Sequence, residues 1–217
     1  MKKVLYLLIF AFSSAPADAK VSDFMLLPVP KRLDTKEDLI KIDSVTMNLN
    51  EKQDAIARNI YFLELALVMP FDHPIKALIR ITNKTQYQKY QHAVNAHLHE
   101  RLAQEYRRYA DLYYKENIYF FNNDYYEKYL DGYDIAEFYF KGALTYRRRA
   151  QEEAQKARAI PGELNPNRDQ SLIDFDEKIY KLTKNPYDFE EIFEKLLTEL
   201  EANRKKILEL KAKASSE

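Results

Sequence analysis

Between Tyr126 and Ala157, apolar and aromatic residues return at alternating intervals of three and four positions. This spacing places their side chains on one face of a helix, and a repeat of about 3.5 residues is typical of helices that supercoil with a neighbour. The strip predicts one long helix that ends at Pro161–Gly162. Its side chains change from tyrosine to alanine toward Ala157, so we expect the distance to the partner helix to decrease in that direction. We label the helix predicted over this strip α3 and call the set the α3 strip, in which Arg147 is the one charged member. It comprises Tyr126, Tyr129, Tyr133, Ala136, Phe140, Ala143, Arg147, Ala150, Ala154 and Ala157.

Glycine is scarce in this chain, with only Gly132, Gly142 and Gly162 among 217 residues. β-Sandwiches, dinucleotide-binding folds and phosphate loops need glycine at turns or at close backbone approaches, so the composition argues against those classes. The 34 basic and 34 acidic residues balance to a formal net charge of +0. Overall charge therefore does not favour nucleic acid or an anionic membrane as a partner.

Helical spacing continues through most of the chain. Ala96, Ala103 and Ala110 recur every seven residues and permit a close helix neighbour, and Asn203 is the polar exception in the last helix. The sequence predicts an all-α fold, an elongated helical bundle with long antiparallel helices and coiled-coil-like packing. Helices are predicted over 51–68, 85–121, 171–183 and 188–212. A short helix opens at 72–74 with Asp72 as its N-cap. The helix that contains the α3 strip follows a cap at Asn122–Asp124.

The first residues have the features of a secretory signal. Lys2 and Lys3 precede the apolar stretch Val4–Phe12, which is too short to span a bilayer, and Ala17-Asp18-Ala19 is a small-x-small cleavage site. We expect cleavage before Lys20 and a periplasmic protein with no membrane span; an uncleaved N-terminal anchor is the alternative. The chain contains no cysteine, which excludes disulfides and lipid attachment at a lipobox.

Four regions follow from these signals. Residues 1–19 are the signal peptide, and residues 20–50 are an extended or irregular segment in which 34–50 is compatible with a short helix or a loose strand. Residues 51–160 form the main helical domain. Residues 161–217 begin with a loop over 161–168 and form a C-terminal helical hairpin, whose last helix projects from the body beyond Ile207.

Candidate catalytic and metal-binding residues do not form a recognisable site. A helical zinc pair needs two histidines four residues apart, whereas His92, His97 and His99 are separated by five and two. Solvated or interface histidines are the expectation. The carboxylate pairs lie in helical charge runs, and two of the three arginines at 147–149 are expected on a solvated helix face. We therefore predict no catalytic residue, no metal and no cofactor.

Aromatic residues are concentrated between Tyr113 and Tyr146, where thirteen occur in thirty-four positions. One helical hairpin cannot bury so many rings in a single seam. Besides the α3 strip, a second strip is formed by the seven-residue alanine repeat with the interleaved Tyr106, Tyr113 and Phe120. The rings outside these two strips predict a protein interface. Packing against the N-terminal helices and sugar stacking are the alternatives. The candidate interface residues are Tyr114, Tyr119, Phe121, Tyr125, Phe138, Tyr139 and Tyr146.

Several segments, covering roughly residues 50–160, resemble secreted helical proteins of spirochetes, including the flagellar coiling proteins of the periplasmic flagellar sheath. They are Pro74–Ile79, Tyr87–Leu98, Asn123–Asp131 and Ile135–Leu144. The resemblance implies a non-enzymatic sheath protein that binds the filament core or a sister sheath protein on one side of a curved filament. Such a protein acts by lateral packing and affects filament curvature and motility.

Two other functions remain open from the sequence. A periplasmic adaptor of repeat-like helical type, serving a transport or envelope complex, fits the same exported helical chain. An enzyme or metal binder is the third class, which the missing motifs disfavour. Self-association is compatible with both the sheath protein and the adaptor.

Overall fold

The computed structural model describes residues 34–40, 53–114, 125–161, 166–184 and 186–216, which belong to one unit spanning Leu33–Glu217. Within these ranges the chain forms helices and no strand, which confirms the all-α prediction. Residues 36–40 form a helical turn. The other elements are α1 (Gln53–Val68), a 3-10 helix (Pro74–Lys76), α2 (Lys84–Tyr113), α3 (Tyr126–Ala159), α4 (Pro166–Lys184) and α5 (Pro186–Ala214).

Helices α2 and α3 form a long antiparallel pair at the centre of the fold. Lys89 near the start of α2 donates to the carbonyl of Ala157 near the end of α3 at 2.9 Å. At the opposite end, the rings of Tyr114 and Tyr133 lie 6.3 Å apart. Nine of the ten residues of the α3 strip are buried, and only Tyr129 is partly exposed. The prediction of one long helix with this buried face is confirmed.

Helices α1 and α4 pack at different places on this pair. Asn59 and Glu64 of α1 contact Glu105 and Tyr106 of α2 through hydrogen bonds of 3.3 and 2.6 Å. Phe175 of α4 contacts the early turns of α2, and the neighbouring ion pairs of α4 reach both α2 and α3.

Helix α5 runs antiparallel to α3 along much of its length. The contacts progress in opposite directions on the two helices, from Arg148–Glu190 through Phe140–Phe193 to Lys211–Glu127. The apolar side chains Leu210 and Ala214 also pack on the core. The prediction that α5 projects from the body beyond Ile207 is therefore wrong, because its last turns lie along the start of α3.

Some predicted helix boundaries also differ from the structure. Helix α2 ends at Tyr113 with Tyr114 in extended backbone as its C-cap, rather than continuing to 121. The N-cap position of α3 is Tyr125, which makes no side-chain capping hydrogen bond; the predicted cap at 122–124 lies outside the described residues. Helix α4 begins at Pro166, inside the expected loop, since proline is well tolerated in the first turn of a helix.

The turn at 36–40 is fixed to the end of α1 by buried charged groups. The Lys36 ammonium donates to the carbonyls of Ala66 and Leu67 at 2.8 and 2.6 Å, and so satisfies oxygens that the end of a helix leaves unpaired. Glu37 accepts from the Tyr90 hydroxyl at 3.1 Å and from the backbone N–H of Asp72 at 2.9 Å. Residues 36–40 thus adopt the short-helix alternative that the sequence left open for residues 34–50.

The segment between α1 and α2 contains one 3-10 turn in place of the predicted short helix. Its N-cap is His73, whose Nδ1 accepts from the backbone N–H of Ile75 at 3.3 Å. The expected N-cap, Asp72, instead accepts from the N–H of His73 at 2.7 Å. The predicted start was therefore displaced by one residue.

Candidate interaction surface

The seven candidate interface residues have different surroundings in the structure. Tyr119 and Phe121 lie outside the described residues. Tyr114 is buried among Tyr133 and Phe140, with its hydroxyl 3.4 Å from Glu199 of α5. It belongs to the core, so we exclude it from the candidate surface.

Tyr139 and Tyr146 are half-buried on one side of α3 and contact α2. Their rings lie 5.1 and 5.0 Å from the ring of Tyr106, and Tyr139 also contacts Tyr109 at 4.5 Å. Most of their surface is used within the molecule, so they support a surface rather than form its most exposed part.

Phe138 and Tyr125 are the exposed members of the set. Phe138 is 65% exposed and Tyr125 is 44% exposed. The Phe138 ring meets Tyr139 edge-to-face at 5.2 Å, so its base is packed while its outer surface remains open. Tyr125, at the start of α3, contacts Tyr129 and the ammonium of Lys128.

We call the connected rings between α2 and α3 the aromatic seam. Each ring contacts at least one other ring of the set at a centroid distance of 4.5 to 5.4 Å. Aromatic pairs at these distances add to the stability gained from burial and hold the rings in fixed orientations. The seam consists of Phe138, Tyr139, Tyr109, Tyr113, Tyr106 and Tyr146.

Four phenols of the seam have a pKa raised above that of an ordinary tyrosine: Tyr106, Tyr113, Tyr139 and Tyr146. Burial, and then the hydrogen bond from its hydroxyl to Glu64, raise the pKa of Tyr106. A hydrogen bond with Tyr109, together with burial, raises the pKa of Tyr113 to about 12. These four hydroxyls are therefore uncharged at physiological pH.

Tyr106, Tyr109 and Tyr113 of α2 were missing from the predicted site. Their spacing of three and four residues places them on one helix face, which was the available signal. That spacing could not reveal that this face meets Tyr139, because the register between α2 and α3 is set by tertiary packing.

The histidines are more enclosed than the sequence suggested. His99 stacks on Tyr146 with the ring centroids 5.9 Å apart, and His97 lies 6.4 Å from Phe175. Burial lowers the pKa of both to about 4, with nearby cations adding to the effect. His92 is hydrogen-bonded to Glu153 at 2.8 Å. The expectation of solvated or interface histidines is therefore wrong for His97 and His99, whereas the His92 side chain is 35% exposed and stays partly solvated.

Arg147, the charged member of the α3 strip, forms a buried ion pair with Glu100. Its guanidinium also lies 4.9 Å from the centroid of the Phe189 ring. Arg148 and Arg149 are exposed, which confirms that two of the three consecutive arginines lie on a solvated face. The buried pair joins α2, α3 and α5.

The part of the chain that the structure describes contains neither a cluster of metal-binding side chains nor a membrane-spanning helix. Its histidine, aspartate and glutamate side chains form no group of three or more that could hold a metal ion. None of its helices has both the length and the apolarity needed to cross a membrane.

A family model described as a domain of unknown function, DUF8513, matches residues 85–210. The chain belongs to the DUF8513 family. The DUF8513 segment begins in the first turn of α2 and ends in the last turns of α5, so it contains the α2–α3 pair, the aromatic seam and the buried Glu100–Arg147 pair. The described residues of the turn at 36–40 and α1 precede it. No curated protein and no solved structure matches the chain.

Proposed function

We propose that this DUF8513 protein is a non-enzymatic, exported interaction protein that binds a protein partner through two exposed aromatic residues of α3 and its N-cap, Phe138 of the aromatic seam and Tyr125. Most concretely, it is a sheath component of a periplasmic flagellum. Its partner is the filament core or a sister sheath protein, and lateral binding along one side of the filament changes curvature and motility. Export and the filament as partner rest on the signal-like first residues and on the resemblance described above.

The observation that supports binding most directly is the position of Phe138. Its side chain is 65% exposed, yet its inner edge packs on Tyr139, which is itself fixed by Tyr106 and Tyr109. An aromatic side chain held in this way loses little conformational freedom when a partner covers it. Rigid aromatic anchors are the residues that contribute most to protein–protein affinity.

The buried carboxylates support a structural function. Glu100 pairs with Arg147, Glu37 accepts from Tyr90, and Glu105 accepts from Asn59 and Arg108. Each joins two elements of the bundle or neighbouring turns of one helix. Their hydrogen-bonding capacity is used to hold the helices in register.

Co-purification with envelope filaments tests the proposal. The double variant Phe138→Ser/Tyr125→Ser is expected to keep the wild-type helical content and to be lost from isolated filaments. Val68→Ser is the matched control, since Val68 is 80% exposed on α1 and makes no part of the seam. The control should remain with the filaments.

Different outcomes separate the rival functions. Wild-type protein absent from filaments, but recovered with a transporter or binding protein, would favour the adaptor. Filaments that retain the double variant at the wild-type level would contradict the proposed surface.

A further inference from the structure

One face of α3 is exposed along most of the helix and carries an ordered pattern of charge. Its residues follow intervals of three and four, and all of them are exposed. Three carboxylates come before Phe138, and two cations come after it. We call this set the outer stripe: Glu127, Asp131, Asp134, Phe138, Lys141, Thr145 and Arg149.

We propose that the outer stripe packs against the outer stripe of a second copy of this chain, antiparallel, with a two-fold axis at Phe138. An interface of this kind is isologous, since each copy contributes the same residues. The inference rests on the proposed interaction function and deepens it by naming the partner as a sister copy.

The register of the charges supports the antiparallel arrangement. With a rise of about 1.5 Å per residue, Asp134 lies about 6 Å before Phe138 and Lys141 about 4.5 Å after it. In the antiparallel dimer each Asp134 therefore meets Lys141 of the second copy. Glu127 and Arg149 lie equally far from Phe138 on opposite sides, so they also meet, and Asp131 faces the uncharged Thr145.

A parallel arrangement would place the same residues against each other. Asp134 would then face Asp134 and Lys141 would face Lys141, and such like-charge contacts disfavour binding. The order of charges thus selects one orientation of the two helices.

Within one molecule Glu127 pairs with Lys211 and Lys141 pairs with Glu137, but the Glu127 and Lys141 side chains stay 69% and 63% exposed, so both can also meet an opposite charge of a second copy. At the acidic end, Arg204 of α5 is shared by three carboxylates, Asp134, Glu137 and Glu201, so negative charge remains in excess there. At the basic end, Arg149 lies 5.6 Å from the centroid of the Tyr146 ring, where its charge is not neutralised.

A charge-reversal cycle tests the dimer by sedimentation equilibrium on the full chain at low salt. The single variants Asp134→Lys and Lys141→Asp are each expected to raise the dimer dissociation constant about tenfold, through two like-charge contacts per dimer. The double variant Asp134→Lys/Lys141→Asp should return it close to the wild-type value. Since the double variant still lacks the contact with Arg204, recovery can come only from pairing between copies.

Two controls separate charge and folding from the interface. Glu209→Lys on the exposed side of α5 makes the same change in net charge as Asp134→Lys and should leave dimerisation unchanged. Phe138→Asp should abolish the dimer, and circular dichroism should give the wild-type helical content for every variant.

A wild-type chain that stays monomeric up to about 1 mM would overturn the second-copy proposal, as would a double variant that does not recover. Loss of the Phe138 variant from filaments alongside a monomeric wild type would overturn the dimer and leave the proposed function standing with another protein as partner. A charge-dependent dimer that does not bind filaments would support the second-copy proposal and overturn the proposed function.

Discussion

The ring of Tyr106 occupies the space beside Gly142 that any larger residue would need. A Cβ atom at 142 would lie 2.5 Å from two atoms of that ring, far inside van der Waals contact. The ring cannot move away easily, because its hydroxyl is bonded to Glu64 at 2.6 Å and its faces meet Tyr139 and Tyr146. Glycine at this position therefore allows α2 and α3 to approach at the aromatic seam.

Gly142→Ala is expected to destabilise the fold by about 1–2 kcal/mol in urea unfolding. Overpacking against Tyr106 costs about 1–3 kcal/mol, and the better helix propensity of alanine offsets up to about 1 kcal/mol of it. The control is Gly132→Ala in the same helix, where the added Cβ would make an ordinary contact at 3.4 Å with the carbonyl of Tyr113. The control should be neutral or slightly stabilising, and equal effects of the two substitutions would contradict the packing described here.

The strip on α3 was predictable because helical spacing and burial depend on the same periodicity. The partner of Arg147, the charged member of the strip, was not predictable. Glu100 meets Arg147 only because α2 and α3 pack antiparallel in one register. The sequence pattern alone gives no such register between distant helices.

Tyr114 and Phe138 show the same limit for the candidate surface. Both lie outside the periodic strips, so sequence reasoning treated them alike. Helix α5 covers the side of the pair that contains Tyr114, whose hydroxyl lies 3.4 Å from Glu199, and leaves Phe138 exposed. Which aromatic residues remain at the surface therefore depended on where the C-terminal helices pack.

Breaking the Glu100–Arg147 pair should cost much more than replacing it. Both side chains are almost fully buried, and Glu100 also accepts from Gln104 at 3.2 Å. Arg147→Met alone leaves an unpaired buried carboxylate, so we expect a loss of about 3–5 kcal/mol. The double variant Arg147→Met/Glu100→Met should recover most of that stability in guanidinium unfolding; additive losses would show that the two groups are not energetically coupled.

Acid should destabilise the protein between about pH 6.5 and pH 4. Burial lowers the pKa of His97 and His99 from 6.5 to about 4, so in this window the unfolded chain binds more protons than the folded one. Their contribution is complete above pH 6.5 and is lost as pH falls through the folded values. The combined contribution of the two histidines to the free energy of unfolding is on the order of 2–5 kcal/mol, where the smaller figure allows for solvent screening of His99.

His97→Gln/His99→Gln tests this origin of the acid sensitivity. The free energy of unfolding, measured by urea titration at pH 4.5 and 7, should change less with pH in the double variant than in the wild type. An identical pH dependence would assign the acid sensitivity to other groups, such as Glu153, whose pKa is lowered by its bonds to Lys156 and His92 against the opposing effect of burial.

The Lys36 ammonium should titrate far below an ordinary lysine. Burial lowers its pKa from 10.5 to about 8, and the nearby Glu37 carboxylate opposes the shift only in part. Between those values the unfolded chain binds more protons, so the contribution of this group to stability rises as pH increases from about 8 to 10.5. The Cε chemical shift of Lys36, followed by NMR across that range, measures the pKa directly, and a midpoint near 10.5 would contradict the buried contact.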